Sequence, residues 1–69
     1  MIYLVYSEYQ NNYDCIETNI ILVTIDKIEA IKIAKEHLKK SDKYTSVSLE
    51  FWDNGIEQKS YFHYEIDRL

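Results

Sequence analysis

Two histidines, one cysteine and a set of carboxylates are the side chains of this chain that could do chemistry, and their spacing decides how much. A zinc site needs ligands in close pairs, whereas Cys15, His37 and His63 are dispersed and no two of them share such a spacing. Nucleophilic catalysis would need the Cys15 thiol activated by His63 or His37, with a third group to orient the base, and no motif links the three. Glu50 and Glu57 form the best carboxylate pair for acid–base work, but both fall on a strand pattern with an open, solvated face, where pKa values move little. The expectation is a protein that is not an enzyme and holds no metal and no cofactor.

What remains is a surface. The stretch YSEYQNNYDC, residues 6–15, holds Tyr6, Tyr9 and Tyr13 beside Glu8 and Asp14, with no lysine, arginine or aliphatic residue. Downstream, Glu50, Trp52, Glu57 and Tyr61 repeat the combination of aromatic and acid. Tyrosine and tryptophan give large amphipathic contacts at low entropy cost, and acids around them steer the surface toward a basic partner. Tyr44, Trp52 and Tyr61 on one sheet would also resemble the base-stacking platforms of RNA binders. Such platforms sit in positive surroundings, and here the neighbours are Glu50, Glu57 and Glu65, which argues against direct nucleic-acid binding.

Charge is segregated along the chain. Residues 1–25 carry three acids and no base; residues 26–43 carry six lysines against four acids; residues 44–69 carry five acids against Lys59 and Arg68. The lysines of the middle segment, Lys27, Lys32, Lys35, Lys39, Lys40 and Lys43, alternate with acids and read as a solvated helix face. A single cysteine excludes an internal disulfide and fits a reducing compartment. The start, MIYLVYSEY, has neither a basic leader nor a long apolar core, and no apolar run approaches the ~18 residues a membrane helix needs. A soluble, cytoplasmic protein with no membrane partner is expected.

The elements that must position these residues are legible in part. Asp26-Lys27-Ile28-Glu29 reads as an N-cap with a glutamate three residues on, opening a helix over about 27–40. At 100° per residue Ala30, Ile31, Ala34 and Leu38 share its buried stripe, with Ile28, Ile33 and His37 at the margins. Asn54-Gly55, with the chain's one glycine, is the favoured centre of a two-residue hairpin turn. That turn sets Glu50 opposite Lys59, Val47 opposite Phe62 and Ser48 opposite Tyr61. Val47, Leu49, Phe51, Ile56, Phe62 and Tyr64 then face the helix, leaving Tyr44, Ser46, Ser48, Glu50, Trp52, Glu57, Lys59, Tyr61, His63 and Glu65 in water.

Residues 2–9 and 16–25 are rich in β-branched and aromatic residues and predict a second strand pair, joined through residues 10–14. Its register stays open, since one residue more or less in the loop exchanges the faces. The weaker pattern preference is Ile2 and Leu4 inward, with Tyr3, Val5, Ser7 and Tyr9 outward. The sum is a single domain of β-β-α-β-β order, an α+β sandwich of a four-stranded antiparallel sheet with one helix on one face. Without proline the sheet edges are unblocked, so a homodimer is a natural possibility.

The segments MIYLVYSEY, IILVTIDKIEAIKIAKEHLKK and YTSVSLEFWDNG resemble the small phage and prophage proteins of low-GC Gram-positive bacteria. Many proteins of that group have no known role, and some block host defences such as CRISPR-Cas or cyclic-nucleotide signalling. The resemblance brings no catalytic motif. Taken with the aromatic and acidic surface, it leads to the expectation of a non-catalytic inhibitor that occludes a basic surface of a host defence protein; the residues themselves, not the resemblance, give Tyr6, Glu8, Tyr9, Tyr13, Asp14, Glu50, Trp52, Glu57 and Tyr61 as the contact residues. Two other expectations are an oligomeric sponge for a nucleotide signal, with Lys59, Arg68 or helix lysines on the phosphate, and a structural accessory that self-associates through its open face.

Overall fold

The computed structural model describes residues 1–10, 15–42 and 44–69. Strands β1 (Ile2–Gln10) and β2 (Ile16–Thr24) precede helix α1 (Lys27–Lys40), and β3 (Thr45–Asp53) and β4 (Ile56–Phe62) follow it. A short 3₁₀ helix, η1 (His63–Arg68), closes the chain. The strands form one sheet in the order β2-β1-β3-β4, every neighbouring pair antiparallel, so the β-β-α-β-β sandwich read from the sequence is the fold. No helix of the described residues is long and apolar enough to cross a membrane.

The helix begins and ends where its capping chemistry requires. Asp26 is extended, and its Oδ1 accepts from the backbone N–H of Ile28 at 3.0 Å and of Glu29 at 3.3 Å, satisfying two of the free amides of the first turn. At the other end the Ser41 hydroxyl donates to the Leu38 carbonyl at 2.7 Å, and Lys39 and Lys40 place positive charge at the negative end of the helix dipole. Ala30 and Ala34 are fully buried, with Ile31 and Leu38 packed beside them. Two methyl-sized side chains on this stripe bring the helix axis close to the sheet. His37 is exposed, off the margin of the stripe where it was expected.

The core is small: Tyr3, Val5, Ala30, Ala34, Val47, Leu49 and Ile66 are buried, and Ile21, Leu22, Ile31, Leu38, Phe51 and Tyr61 pack against it. Its sheet side is set by β1 lying against β3, with Tyr3 opposite Phe51 and Val5 opposite Leu49. The inward residues of β1 are therefore Tyr3 and Val5, the reverse of the weaker pattern preference. Ile2 is 47% exposed. Tyr3 wins the inward place because its ring packs on Phe51, centroids 5.4 Å apart, and its hydroxyl reaches the Met1 sulfur at 3.3 Å.

Two bulges correct the simple alternation. In β4 the Asn54-Gly55 turn forms as expected, with φ +55° and +76°. Trp52 pairs with Glu57, but Phe51 pairs with Lys59, so Gln58 is an extra residue. Beyond it every side chain of β4 changes face. Leu49, not Ser48, stands opposite Tyr61; Ser48 stands opposite Phe62; and Glu50 faces Ser60 rather than Lys59. A second bulge in β2 leaves Ile21 unpaired between Ile20, opposite Tyr6, and Leu22, opposite Val5. This lets two consecutive aliphatics, Ile21 and Leu22, both pack against the core.

β4 also ends earlier than its alternating pattern suggests. His63 takes φ +45°, a left-handed conformation that turns the chain out of the strand and into η1. The Glu65 carboxylate accepts from the Phe62 N–H at 3.3 Å, fixing the first turn, and Ile66 is driven into the core with no exposure at all. Tyr64, expected inward, is 76% exposed, and Ile56, expected inward near the turn, is 64% exposed. Ile66 is thus the bolt between the end of the sheet and α1. Replacing Ile66 with Ala should cost about 2–5 kcal/mol in urea unfolding, whereas Ile28→Ala, at a helix position 79% exposed, should stay within about 0.5 kcal/mol of the parent. Equal effects of the two would contradict this assignment of the core.

Candidate functional site

The face of the sheet away from α1 carries no covering layer among the described residues. Its side chains follow from the pairings. Ile2, Leu4, Tyr6, Glu8 and Gln10 come from β1, and Ser46, Ser48, Glu50 and Trp52 from β3. Ile16, Thr18, Ile20 and Val23 come from β2. Glu57, Ser60 and Phe62 come from β4. This set contains three carboxylates and no lysine or arginine, while the lysines of α1 lie on the opposite layer.

At its centre Glu50 is held by two aromatic donors from two strands. The Tyr6 hydroxyl donates to Oε2 at 2.8 Å and the Trp52 indole Nε1–H donates to Oε1 at 3.1 Å. The cause is positional. Trp52 lies two residues from Glu50 on the same strand, hence on the same face, and Tyr6 stands opposite Ser48, one diagonal step from Glu50 on β1. Each carboxylate oxygen retains a further acceptor site, so the group is oriented without being used up. Around it Leu4, Ser48 and the two rings are half-buried or buried, and Ile20, Val23, Ile2 and Phe62 form an apolar rim exposed by 67%, 59%, 47% and 56%.

Burial, and secondarily the hydrogen bond to Glu50, pushes the Tyr6 hydroxyl above its ordinary value near 10; a hydrogen bond from Ser48 pulls the other way. The phenol is held neutral because the ionised form would be both desolvated and placed beside a carboxylate.

The nine residues expected to make contacts do not form one surface. Tyr6, Glu8, Glu50, Trp52 and Glu57 stand on the open face. Tyr61 does not: the Gln58 bulge turns it to the helix side, where it is half-buried against the core with the Lys59 ammonium 5.0 Å from its ring centroid. Tyr9 shares its parity with Tyr3 and Val5 and also lies on the helix side, at the far end of β1. Tyr13 and Asp14 lie outside the described residues, as does Lys43. Sequence reasoning missed the apolar half of the face, above all Ile16, Ile20 and Val23 of β2 and Phe62 of β4. The signal for β2 was present in IETNI, whose two isoleucines are four apart and so share one face of a strand, but without a fixed register that face had no side.

A broad groove of about 840 Å³ opens where this face meets the end of the sandwich, with Glu8, Asp42 and Asp67 as its acids and Lys39 and His63 as its basic groups. Among the described residues the buried Nδ1 of His63 finds no hydrogen-bond partner, at the same residue that carries the left-handed backbone. Among the described residues no three His, Cys, Asp or Glu side chains come together as metal ligands would. Comparison with known proteins returns no match: no family model, no curated protein and no solved structure is similar to the chain.

The raised Tyr6 pKa has a sign that can be checked. A hydroxyl whose folded pKa lies above its unfolded value contributes stability that is fully present below pH 10 and is lost as the pH rises through the folded pKa. Urea unfolding of the parent should therefore lose stability above pH 10 more steeply than that of Tyr6→Phe. Parallel profiles would show that Tyr6 does not titrate in this setting.

Proposed function

We propose that this chain is a non-catalytic protein-binding module whose open sheet face covers a surface of a partner that is basic at its centre and apolar around it. The observation that carries this reading is the Glu50 carboxylate, fixed by Tyr6 and Trp52 within an apolar rim and on a face whose described residues include no basic side chain. A carboxylate already oriented by two donors accepts a guanidinium or ammonium with little further ordering, and the surrounding desolvation strengthens the pair. Trp52 and Tyr6 are the residue types that dominate binding energy at such centres, with the aliphatic rim excluding water. Glu8 and Glu57, on the same face, add long-range attraction for a positive partner.

The resemblance to small phage and prophage proteins supports a specific form of this function: an inhibitor that occludes a basic, functionally required surface of a host defence protein. An acidic face presented by one layer, backed by a lysine-bearing helix on the other, suits one-sided occlusion. The contact set for this role is Tyr6, Glu8, Glu50, Trp52 and Glu57, joined by Leu4, Ile20, Val23 and Phe62.

Affinity capture from host-type lysate with the parent and two variants tests the reading. Glu50→Gln keeps the size of the side chain but removes the charge, and should weaken a stoichiometric basic partner by about 10- to 100-fold. Lys32→Gln, on the helix layer, should leave binding unchanged. A partner equally retained by Glu50→Gln, or lost with Lys32→Gln, would contradict the assignment of the face.

A further inference from the structure

The two edges of the sheet are built differently. The β4 edge is protected by several features: a bulge at Gln58, a lysine at Lys59, and η1 turning the chain away after Phe62. The β2 edge has none of these over Ile16–Ile20. Those five residues, Ile-Glu-Thr-Asn-Ile, contain neither lysine nor proline, are paired among the described residues only on their β1 side, and are all exposed, Ile16 by 65% and Ile20 by 67%. The next two residues, Ile21 and Leu22, pack against the core, so the exposed run stops at the bulge.

We infer that Ile16–Ile20 is a self-pairing edge, which joins a second copy of this chain antiparallel about a two-fold axis at Thr18. The register follows from the strand itself. With Thr18 opposite Thr18 of the second copy, Ile16 stands opposite Ile20 on the open face and Glu17 stands opposite Asn19 on the helix side. Each rung is compatible: an aliphatic pair, a threonine pair that can hydrogen-bond, and a carboxylate facing an amide that can donate to it. A register centred on Ile20 fails, because the Ile21 bulge would set open-face residues of one copy against helix-side residues of the other. The bulge therefore limits the ladder to five residues, and Thr18 is the one centre that pairs all five of them. The product is an eight-stranded sheet with the open faces of both copies on one side, and Ile16 and Ile20 of each copy meeting across the seam.

Five rungs and one aliphatic seam fall short of the ~800 Å² per partner of a standard stable interface, so the dimer is reversible and concentration-dependent. Sedimentation of the intact chain should show the mass rising from one to two protomers as concentration increases into the millimolar range. Thr18→Lys, which sets two ammonium groups face to face on the axis, should keep the monomer at all concentrations. In a Cys15→Ser background, Thr18→Cys should form a covalent dimer with oxidised glutathione, because opposed strand residues bring their Cα atoms within disulfide reach. Ser60→Cys on the other edge should not. A parent that stays monomeric throughout, a dimer that survives Thr18→Lys, or equal cross-linking at Ser60 would overturn the inference. The face proposed for partner binding is tested separately: Glu50→Gln, on β3 and two strands away from the β2 edge, should leave self-association intact.

Discussion

One fourteen-residue helix can cover only one face of a four-stranded sheet, and the rest of this structure is arranged around that limit. The covered face takes Tyr3, Val5, Val47 and Leu49 under Ala30 and Ala34. Because the described residues supply one helix and no second apolar layer, the other face must be either polar or covered by something else. Among the described residues it is neither wholly polar nor covered. Ser46, Ser48 and Ser60 lie among Leu4, Ile20, Val23, Trp52 and Phe62, and Glu50 is tied down at the centre.

The two bulges and η1 are responses to the same limit. The Ile21 bulge lets β2 give two adjacent side chains to a core short of volume, and the Gln58 bulge brings Tyr61 to it. The left-handed turn at His63 delivers Ile66. Each device departs from regular strand geometry to increase burial on the helix side, and each has a consequence outside. The Gln58 bulge moves Phe62 outward, and the one at Ile21 leaves Ile16–Ile20 as a regular but unburied strand segment. Strain at His63 and the partnerless Nδ1 beside it are of the kind that costs of order 1–3 kcal/mol. Here it is spent on placing a core residue.

This explains what the sequence could and could not show. The helix was legible to its end residues because Asp26 at the cap and the Ala30, Ile31, Ala34, Leu38 stripe are local signals. Asn54-Gly55 fixed its turn for the same reason. What failed was alternation beyond a bulge. A bulge leaves no mark in a strand sequence such as IEQKSYF, and one extra residue reversed the faces of Tyr61 and Phe62. The N-terminal register failed likewise, because Ile2 and Leu4 are as suited to burial as Tyr3 and Val5, and only the pairing of β1 with β3 separates them. Glu50, Trp52 and Glu57 were placed on the open face correctly, since they lie before the bulge takes effect. Their connection to Tyr6 depends on a β1–β3 pairing forty-four residues apart in sequence, which no local pattern encodes.

The central claim is that the open face, organised by Glu50, is where this protein meets its partner. Trp52 is the chain's one tryptophan, and its indole N–H lies on the Glu50 carboxylate, so a single resonance reports on the site. The decisive measurement is ¹⁵N-edited NMR of the labelled chain as a captured partner is titrated in. The account predicts that the Trp52 indole signal shifts or broadens together with the amides of Tyr6, Ser48 and Glu50. An unmoved indole, with changes confined to the amides of Lys27–Lys40, would place the interaction on the helix layer and contradict it.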